Sequence, residues 1–282
     1  MRTASPLLAG FALLVVAGVA VGAEPCRYSA PRNLDLDAAA LKSLLLNLGA
    51  SNAHVQGVAG LSKIEVRGTA CASNPQWLGD LRLDTAASGT QTTVTVRTGD
   101  HENNFDLLGI SRYAYIKLSV SVPPQLAVAI ESGSGDVVAE SLQSLDFHAG
   151  SGDLKASQIT GALTLELGSG DVQAHGIGSV DLRSAGSGDV TVSDVGGEVQ
   201  AGHVGSGDLH FSDVRGSVSV GSLGSGDVQL ERIGGNARVD SVGSGDVVVN
   251  DVTGDLEVGA TGSGDVSYHG VKGTVHVPRR DD

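Results

Sequence analysis

Large aromatic side chains are nearly absent from this chain of 282 residues. Phe, Trp and Tyr together make up 3% of it, with a single Trp and a single Met. A broad globular core uses more rings than this, so the composition favours a narrow core of Val, Leu, Ile and Ala. Glycine, in contrast, occurs 41 times, which is typical of many tight turns.

Basic residues are also few, since 18 Lys and Arg face 32 Asp and Glu and give a net charge of −14. A protein this acidic does not bind nucleic acid through phosphate attraction, and an anionic membrane repels it. A divalent cation or a basic partner is electrostatically compatible with this charge.

Long apolar runs are missing after residue 23. Before it, Arg2 is followed by the apolar run Leu7 to Val21 and by small residues ending at Ala23. This pattern predicts a signal peptide over residues 1–23, because the run is shorter than the ~20 residues of a spanning helix. We therefore expect a periplasmic or secreted protein that begins at Glu24, has no transmembrane segment and carries a charge of −15 once Arg2 is removed.

Only two cysteines occur, Cys26 and Cys71. In an exported protein such a pair predicts a disulfide. A metal-binding or catalytic thiol is the alternative, but no ligand spacing accompanies either cysteine.

The most prominent feature that is present is the sequence Gly-Ser-Gly-Asp, which occurs eight times at steps of 17 to 19 residues. A motif at a nearly fixed period indicates a repeat architecture. The copies begin at Gly133, Gly150, Gly168, Gly186, Gly205, Gly224, Gly243 and Gly262.

Each repeat, numbered from its first Gly, has the same columns. Columns five, seven and ten are mostly apolar, column twelve is mostly Gly, and columns fourteen and sixteen are apolar in the last five repeats. This pattern predicts two short strands and two turns, a unit too small to bury its own apolar face. Identical columns must then stack in register, so residues 126–282 are predicted to form a parallel β-solenoid (β-helix) of about eight coils, ~38 Å long at ~4.8 Å per coil. An antiparallel sandwich of hairpins is the alternative, but it does not explain why the turn is identical eight times.

Residues 24–125 lack the motif and are predicted to form a β-rich section or cap. Lys63–Arg67, Thr93–Arg97 and Ile116–Val122 alternate apolar and polar residues as half-buried strands do. Asp37–Leu48 fits either a helix or a turn followed by a strand. The irregular stretch Asp100–Tyr115 is interpreted either as a partner-binding loop or as a cap over the end of the sheet.

The repeated motif is interpreted as the corner of the coil, with Gly adopting the backbone angles and Ser and Asp satisfying the turn. Stacking places eight carboxylates in a row, and neighbours ~4.8 Å apart repel by roughly 1 kcal/mol in water. Either backbone N–H groups of each turn relieve this repulsion, or Ca²⁺ ions bind between the coils. The candidate Ca²⁺ ligands are Asp136, Asp153, Asp171, Asp189, Asp208, Asp227, Asp246 and Asp265.

Other chemistries fit the sequence poorly. A serine nucleophile needs one Ser beside a His and an acid, whereas the motif serines are equivalent by repetition. A phosphate-binding loop needs a helix behind it. His175 and His269 lie five coils apart, and His203 and His210 lack a third ligand for Zn²⁺.

The repeats resemble the bacterial putative-adhesin β-strand repeat family, a domain of unknown function found in envelope proteins. Gly-Ser-Gly-Asp-Val followed by Val-x-Gly-x-Val-x-Val carries the resemblance, which covers roughly Leu126 to Val277 and can extend upstream to Asp35. It implies an exported, β-helical, non-enzymatic protein with an adhesive or envelope role, and it supplies no catalytic residues.

The sequence thus favours a non-enzymatic envelope protein that binds an unidentified surface ligand, protein or glycan, or has a structural role, with no cofactor other than possible Ca²⁺. The candidate contact surfaces are the Asp100–Tyr115 loop and the outward columns of the late repeats. The alternative is a Ca²⁺-dependent carbohydrate-binding protein or carbohydrate-active enzyme on a β-helix, which predicts Arg, Lys and Asp clustered on one face.

Overall fold

The computed structural model describes residues 26–99 and 112–278, and these are almost entirely β-strand. One short 3-10 turn, Pro75–Gly79, interrupts the strands. Within these two ranges, no helix is long and apolar enough to cross a membrane.

Seven strands precede the first Gly-Ser-Gly-Asp repeat unit and its lead-in strand. They are β1 Tyr28–Asp37, β2 Ser43–Gly49, β3 Ala53–Gly57, β4 Lys63–Ala72, β5 Arg82–Ser88, β6 Gln91–Arg97 and β7 Ala114–Val122.

The lead-in strand β8 and the repeats supply the remaining strands, two to a coil except in the second and third coils, where β11 and β12 each run through the whole coil. They are β8 Ala127–Ser132, β9 Val137–Glu140, β10 Leu145–Ala149, β11 Leu154–Leu167, β12 Val172–Ala185, β13 Val190–Val195, β14 Val199–Val204, β15 Leu209–Val214, β16 Val218–Leu223, β17 Val228–Ile233, β18 Ala237–Val242, β19 Val247–Val252, β20 Leu256–Thr261, β21 Val266–His269 and β22 Val275–His276.

These strands form two sheets, because equivalent strands of successive coils pair in register. Sheet I runs β5, β6, β2, β8, β10, the second half of β11, the second half of β12, β14, β16, β18, β20, β22. Sheet II runs β1, β4, β7, β3, β9, the first half of β11, the first half of β12, β13, β15, β17, β19, β21. Every pairing from β8 onward is parallel, so the predicted β-solenoid of about eight turns is confirmed.

The core lies between the two sheets and is filled by the inward columns, which are buried in almost every coil. Column seven is Ala in the first three repeats. In those same coils column sixteen or its equivalent on sheet I is large, as in Phe147, Leu165 and Leu182. The two columns thus balance each other in volume, as a close-packed interior requires.

The N-terminal section continues the same two sheets. Strands β2 and β3 form a coil that pairs in parallel with β8 and β9 on one side and with β6 and β7 on the other. This coil is therefore inserted between two coils that follow it in the chain. The structure also decides between the two interpretations of Asp37–Leu48, since a turn is followed by strand β2.

The outer end of the N-terminal section is closed by antiparallel strands. Strand β5 pairs with β6 on sheet I, and β4 pairs with β7 on sheet II and carries β1 outside it. The Cys26–Cys71 disulfide, with its Cα atoms 5.3 Å apart, joins the segment just before β1 to β4. The predicted disulfide is therefore confirmed, and it ties together the cap of the solenoid.

The motif glycines are required by the contact between coils, and this corrects the interpretation from the sequence. None of them has the positive φ that favours glycine. Instead, a Cβ at Gly207 would overlap the carbonyl oxygen of Gly188 in the coil below. The other third-position glycines of the motif meet the equivalent oxygen in the same way, so the coils stack too closely there for any side chain.

We predict that Gly207→Ala destabilises the protein by about 2 kcal/mol or more, since the new Cβ has backbone rather than a flexible side chain in its way. Gly196→Ala is the matched control in the neighbouring coil, because its Cβ would lie 3.7 Å from the nearest atom, the carbonyl oxygen of Gly178. Urea unfolding of both variants checks this. Equal stability of the two would show that stacking distance does not select glycine at the corner.

Candidate binding surfaces

The Asp row of the Gly-Ser-Gly-Asp corner is held by hydrogen bonds that run from coil to coil. The backbone N–H of each Asp donates to Oδ1 of the Asp one coil earlier, at 2.8 to 3.3 Å from Asp153 to Asp265. At the start of the row, the N–H of Asp136 donates to Asn52 Oδ1 at 3.0 Å. The sequence interpretation placed these acceptors within their own turn, whereas the structure uses them to join neighbouring turns.

The second corner repeats this device with other residue types in the last four coils. Ser217 Oγ accepts from the N–H of Asn236 at 3.1 Å, Asn236 Oδ1 accepts from Asp255 at 3.0 Å, and Asp255 Oδ1 accepts from Thr274 at 2.7 Å. A hydroxyl, an amide and a carboxylate are thus interchangeable there. What the corner needs is an oxygen acceptor, and negative charge is not required for that role.

The Ca²⁺ ladder on the Asp row stays a prediction. Among residues 26–99 and 112–278, no three His, Cys, Asp or Glu side chains are grouped so as to hold a metal ion. One oxygen of each carboxylate from Asp136 to Asp246 is already used by a backbone N–H.

A second repeating feature is a column of left-handed residues on the edge of sheet II. Column nine has a positive φ in all eight repeats, although only two of its members are glycine. Asp and other short polar residues tolerate this conformation better than most. The eight residues are Ser141, Gln158, Gly176, Asp194, Asp213, Arg232, Asp251 and Gly270.

Beside this column lies a groove of about 520 Å³, here called the edge groove. Its charged lining residues are of both signs, namely Asp194, Asp213, Arg215, Arg232, Asp251 and Lys272.

The best-defined contact in the edge groove is the pair Arg232–Asp213. Nε and Nη2 of Arg232 donate to the two carboxylate oxygens of Asp213 at 2.7 and 2.9 Å, and Nη1 donates to Glu231 Oε2 at 3.0 Å. The hydrogen bonds from Arg232 hold the pKa of Asp213 below its ordinary value of 3.8, so this carboxylate is ionised at neutral pH.

A further groove of about 450 Å³, here called the face groove, lies on the outer face of sheet II over the first four coils. Two rows of outward side chains form its walls, and the strand backbone between them forms its floor. Column six contributes Val138, Lys155, Gln173 and Thr191, and column eight contributes Glu140, Ser157, His175 and Ser193.

Polar contacts order one wall of the face groove. A ring nitrogen of His175 lies 3.1 Å from Ser193 Oγ. His54, from the inserted coil, aligns with Val138 of the opposite wall, and its Nε2 lies 3.3 Å from Glu140 Oε2. The groove therefore presents hydroxyl, amide and imidazole groups, one ammonium and one carboxylate at the regular spacing of the coils.

The other histidines are separated by the fold. His203 is on β14 of sheet I, where its Nδ1 lies 2.8 Å from Ser222 Oγ, whereas His210 is on β15 of sheet II. His148 lies between Asp146 Oδ1 at 2.9 Å and Glu166 Oε2 at 3.3 Å. These contacts occupy both of its ring nitrogens.

The predicted binding loop Asp100–Tyr115 falls largely outside the described residues, which resume at Arg112. Its position in the topology is nevertheless clear, because it joins β6 of sheet I to β7 of sheet II. In the repeats, that step is made by the Gly-Ser-Gly-Asp corner. At its end, Tyr113 Oη accepts a hydrogen bond from the N–H of Arg27 at 2.9 Å, next to the disulfide.

Sequence reasoning missed the face groove and the left-handed column, although signals for both exist. Columns eight and nine both point outward between the buried columns seven and ten, and two successive outward residues indicate a bulge in the strand. The face groove can be inferred if columns six and eight are treated as two parallel rows of outward side chains with a groove between them.

Comparison with known proteins identifies a family. Residues 78–232, more than half of the chain, match the family described as Toastrack DUF4097. No curated protein matches the chain.

Among solved structures, the chain is similar to a putative adhesin from Bacteroides fragilis, with 14% identity, a TM-score of 0.41 and coverage of 88% of this chain and 100% of that chain. A putative adhesin from Parabacteroides distasonis gives 10% identity, a TM-score of 0.41 and coverage of 88% and 97%. A putative cell adhesion protein from Clostridium sporogenes gives 11% identity, a TM-score of 0.31 and coverage of 86% of this chain and 99% of that chain.

We predict that Asp208→Ala lowers the free energy of unfolding by about 1 kcal/mol, because it removes the acceptor for the N–H of Asp227. Asp208→Asn keeps that oxygen and should stay within about 0.5 kcal/mol of the wild type, as the natural Asn52 and Asn236 suggest. Calorimetric titration of the chelated wild type with Ca²⁺ tests the cation ladder, because absence of heat would rule it out. Binding of Ca²⁺ that Asp208→Asn weakens would instead establish the cation ladder.

We predict that the Arg232–Asp213 pair makes stability depend on pH. Because the pKa of Asp213 is lowered in the folded state, its contribution is present above the ordinary pKa of 3.8 and is lost as pH falls through the lower folded value. The stability gap between the wild type and Asp213→Asn should therefore shrink from pH 7 towards pH 2. Asp194→Asn makes the same substitution in the same left-handed column and is the control for the effect of the substitution itself. A constant gap for Asp213→Asn would show that the exposed pair contributes nothing.

Proposed function

The chain belongs to the Toastrack DUF4097 family, and we propose that it is an exported, non-enzymatic binding module of the cell envelope that holds a glycan chain in the face groove. The observation that carries this proposal is the groove itself. It crosses four successive coils, and each coil places one side chain in each of its two walls.

The shape of the face groove favours an extended ligand. Its walls run along the solenoid axis, so a chain lying in it meets a new pair of side chains at every coil, ~4.8 Å apart. Its volume of about 450 Å³ is within the range of small-molecule sites, which bind short segments rather than whole domains.

The chemistry of the face groove favours a polyhydroxylated ligand of low charge. Lys155 and Glu140 are the only fully charged groups in its lining, and the rest are hydroxyl, amide, imidazole and small apolar groups. The hydroxyl, amide and imidazole groups can both donate and accept hydrogen bonds, as sugar hydroxyls do. A strongly basic peptide would instead be drawn to the Asp row.

Export is supported by two independent features. Residues 1–23 have the pattern of a signal peptide, and the Cys26–Cys71 disulfide fits an oxidising compartment. Together they favour a periplasmic or secreted protein.

A carbohydrate-active enzyme is the second candidate, because the edge groove clusters Arg, Lys and Asp on one face. The protonation state of this cluster, however, does not favour catalysis. A general acid must keep its proton near neutral pH, whereas the hydrogen bonds from Arg232 lower the pKa of Asp213. The same bonds occupy the guanidinium that would bind a substrate.

We predict that the protein binds one or more neutral polysaccharides on an array of bacterial envelope glycans, and that Gln173→Ala weakens this binding about fivefold through loss of roughly 1 kcal/mol of hydrogen bonding. Gln200→Ala is the matched control, since Gln200 is an exposed outward Gln on sheet I, away from the groove. The protein is expressed with residues 1–23 in place, and mass spectrometry of the exported form should find Glu24 at its N-terminus.

Three results would contradict the proposal. They are an array without binding, equal weakening by Gln173→Ala and Gln200→Ala, and release of new reducing ends from a bound glycan. Release of reducing ends would favour the carbohydrate-active enzyme. Binding of an envelope protein in place of a glycan would show that the ligand is a protein.

A further inference from the structure

The last coil of the solenoid exposes residues that every earlier coil buries. Val266, Val271, Val275 and Val277 are only partly buried, and the side chain of Tyr268 is 48% exposed. The equivalent residues one coil earlier are buried, namely Val247, Val249, Val252, Leu256 and Val258. The apolar core of the solenoid is therefore partly exposed at this end.

The edge strands at this end have no described partner on their outer side. Strand β21 pairs with β19, and β22 pairs with β20, and neither pairs with any other strand of residues 26–99 and 112–278. Open edges of this kind are templates for pairing with another chain. At the opposite end the outermost strands, β5 on sheet I and β1 on sheet II, run antiparallel to their neighbours, and Arg32 of β1 donates to the carbonyl oxygens of Leu78 and Leu81.

The charge of the last coil does not oppose contact between two copies at this end. Residues 133–261 contain 19 acidic and 5 basic residues, and each of their seven coils is negative. The last coil, residues 262–278, contains one Asp and one Lys and is neutral, with His269 and His276 beside them. Two copies that approach side by side repel each other, whereas two that approach end to end avoid most of this repulsion.

We infer that the last coil is a homodimer interface through which two copies of this chain join end to end. A twofold axis perpendicular to the solenoid axis brings the two pairs of edge strands together antiparallel, and the contact is isologous. The chain already accepts antiparallel strands on both sheets, as β5 on β6 and β4 on β7 show. In the dimer, the exposed valines of both copies join into one continuous core.

The test is the oligomeric state of the purified protein by sedimentation equilibrium at about 0.1 mM, a concentration that populates any dimer of micromolar affinity. The wild type should sediment as a dimer. Val266→Lys places a charge in the interface and should raise the dissociation constant at least tenfold. Val248→Lys makes the same change one coil earlier on the outer face, where Val248 points away from the core, and it should remain dimeric.

Circular dichroism and melting temperature show whether each variant is folded. Tyr268→Asp is a second interface variant, chosen because Tyr268 is already half exposed in the single chain and should tolerate charge. A monomeric wild type overturns the inference, and so does a folded Val266→Lys or Tyr268→Asp that dimerises as tightly as the wild type. A monomeric Val248→Lys would also overturn it, since association would then use the side of the solenoid.

Discussion

The constraint on which this structure depends is the in-register stacking of one coil on the next. Parallel strands of successive coils are only ~4.8 Å apart, and the corners must approach as closely as the strands. At the third motif position the backbone of one coil lies against the carbonyl oxygen of the coil below, and only glycine leaves room for it. The same closeness lets Asp and Asn side chains bridge to the next coil's backbone. The motif recurs along the chain because each coil must fit closely against the coil before it.

The repeating part of this fold could be predicted from the sequence, because stacking acts on every coil alike. The period, the buried columns, the two strands in each coil and the parallel register all follow from comparing one repeat with another. The reason for the glycines could not be obtained that way. A glycine kept for a positive φ and a glycine kept for a close contact look the same in a sequence, and only coordinates show that the positive φ values lie in column nine instead.

The inserted coil of β2 and β3 was not predictable because its place in the stack does not follow chain order. Its corner, Gly49-Ala50-Ser51-Asn52, keeps the first Gly and an acceptor at the fourth position. Gly49 O accepts from the N–H of Gly133, and Asn52 Oδ1 accepts from Asp136. The corner is a degenerate copy of the motif that could be recognised once the role of each position was known. The antiparallel pairing in the cap could not be predicted from the sequence, since alternation of apolar and polar residues predicts strands but not their partners.

The location of charge and of ligand-binding side chains connects the two proposals. The face groove lies on coils one to four, and the neutral end is coil eight. A dimer joined at coil eight holds the centres of its two face grooves roughly 60 Å apart, from about twelve coil steps at ~4.8 Å each. A short glycan could not span that distance, but a polymer could occupy both grooves, and the second contact would then form at a high effective concentration. A weak site made of a few hydrogen bonds on an open face would thereby be sufficient for a module that attaches to long chains in the envelope.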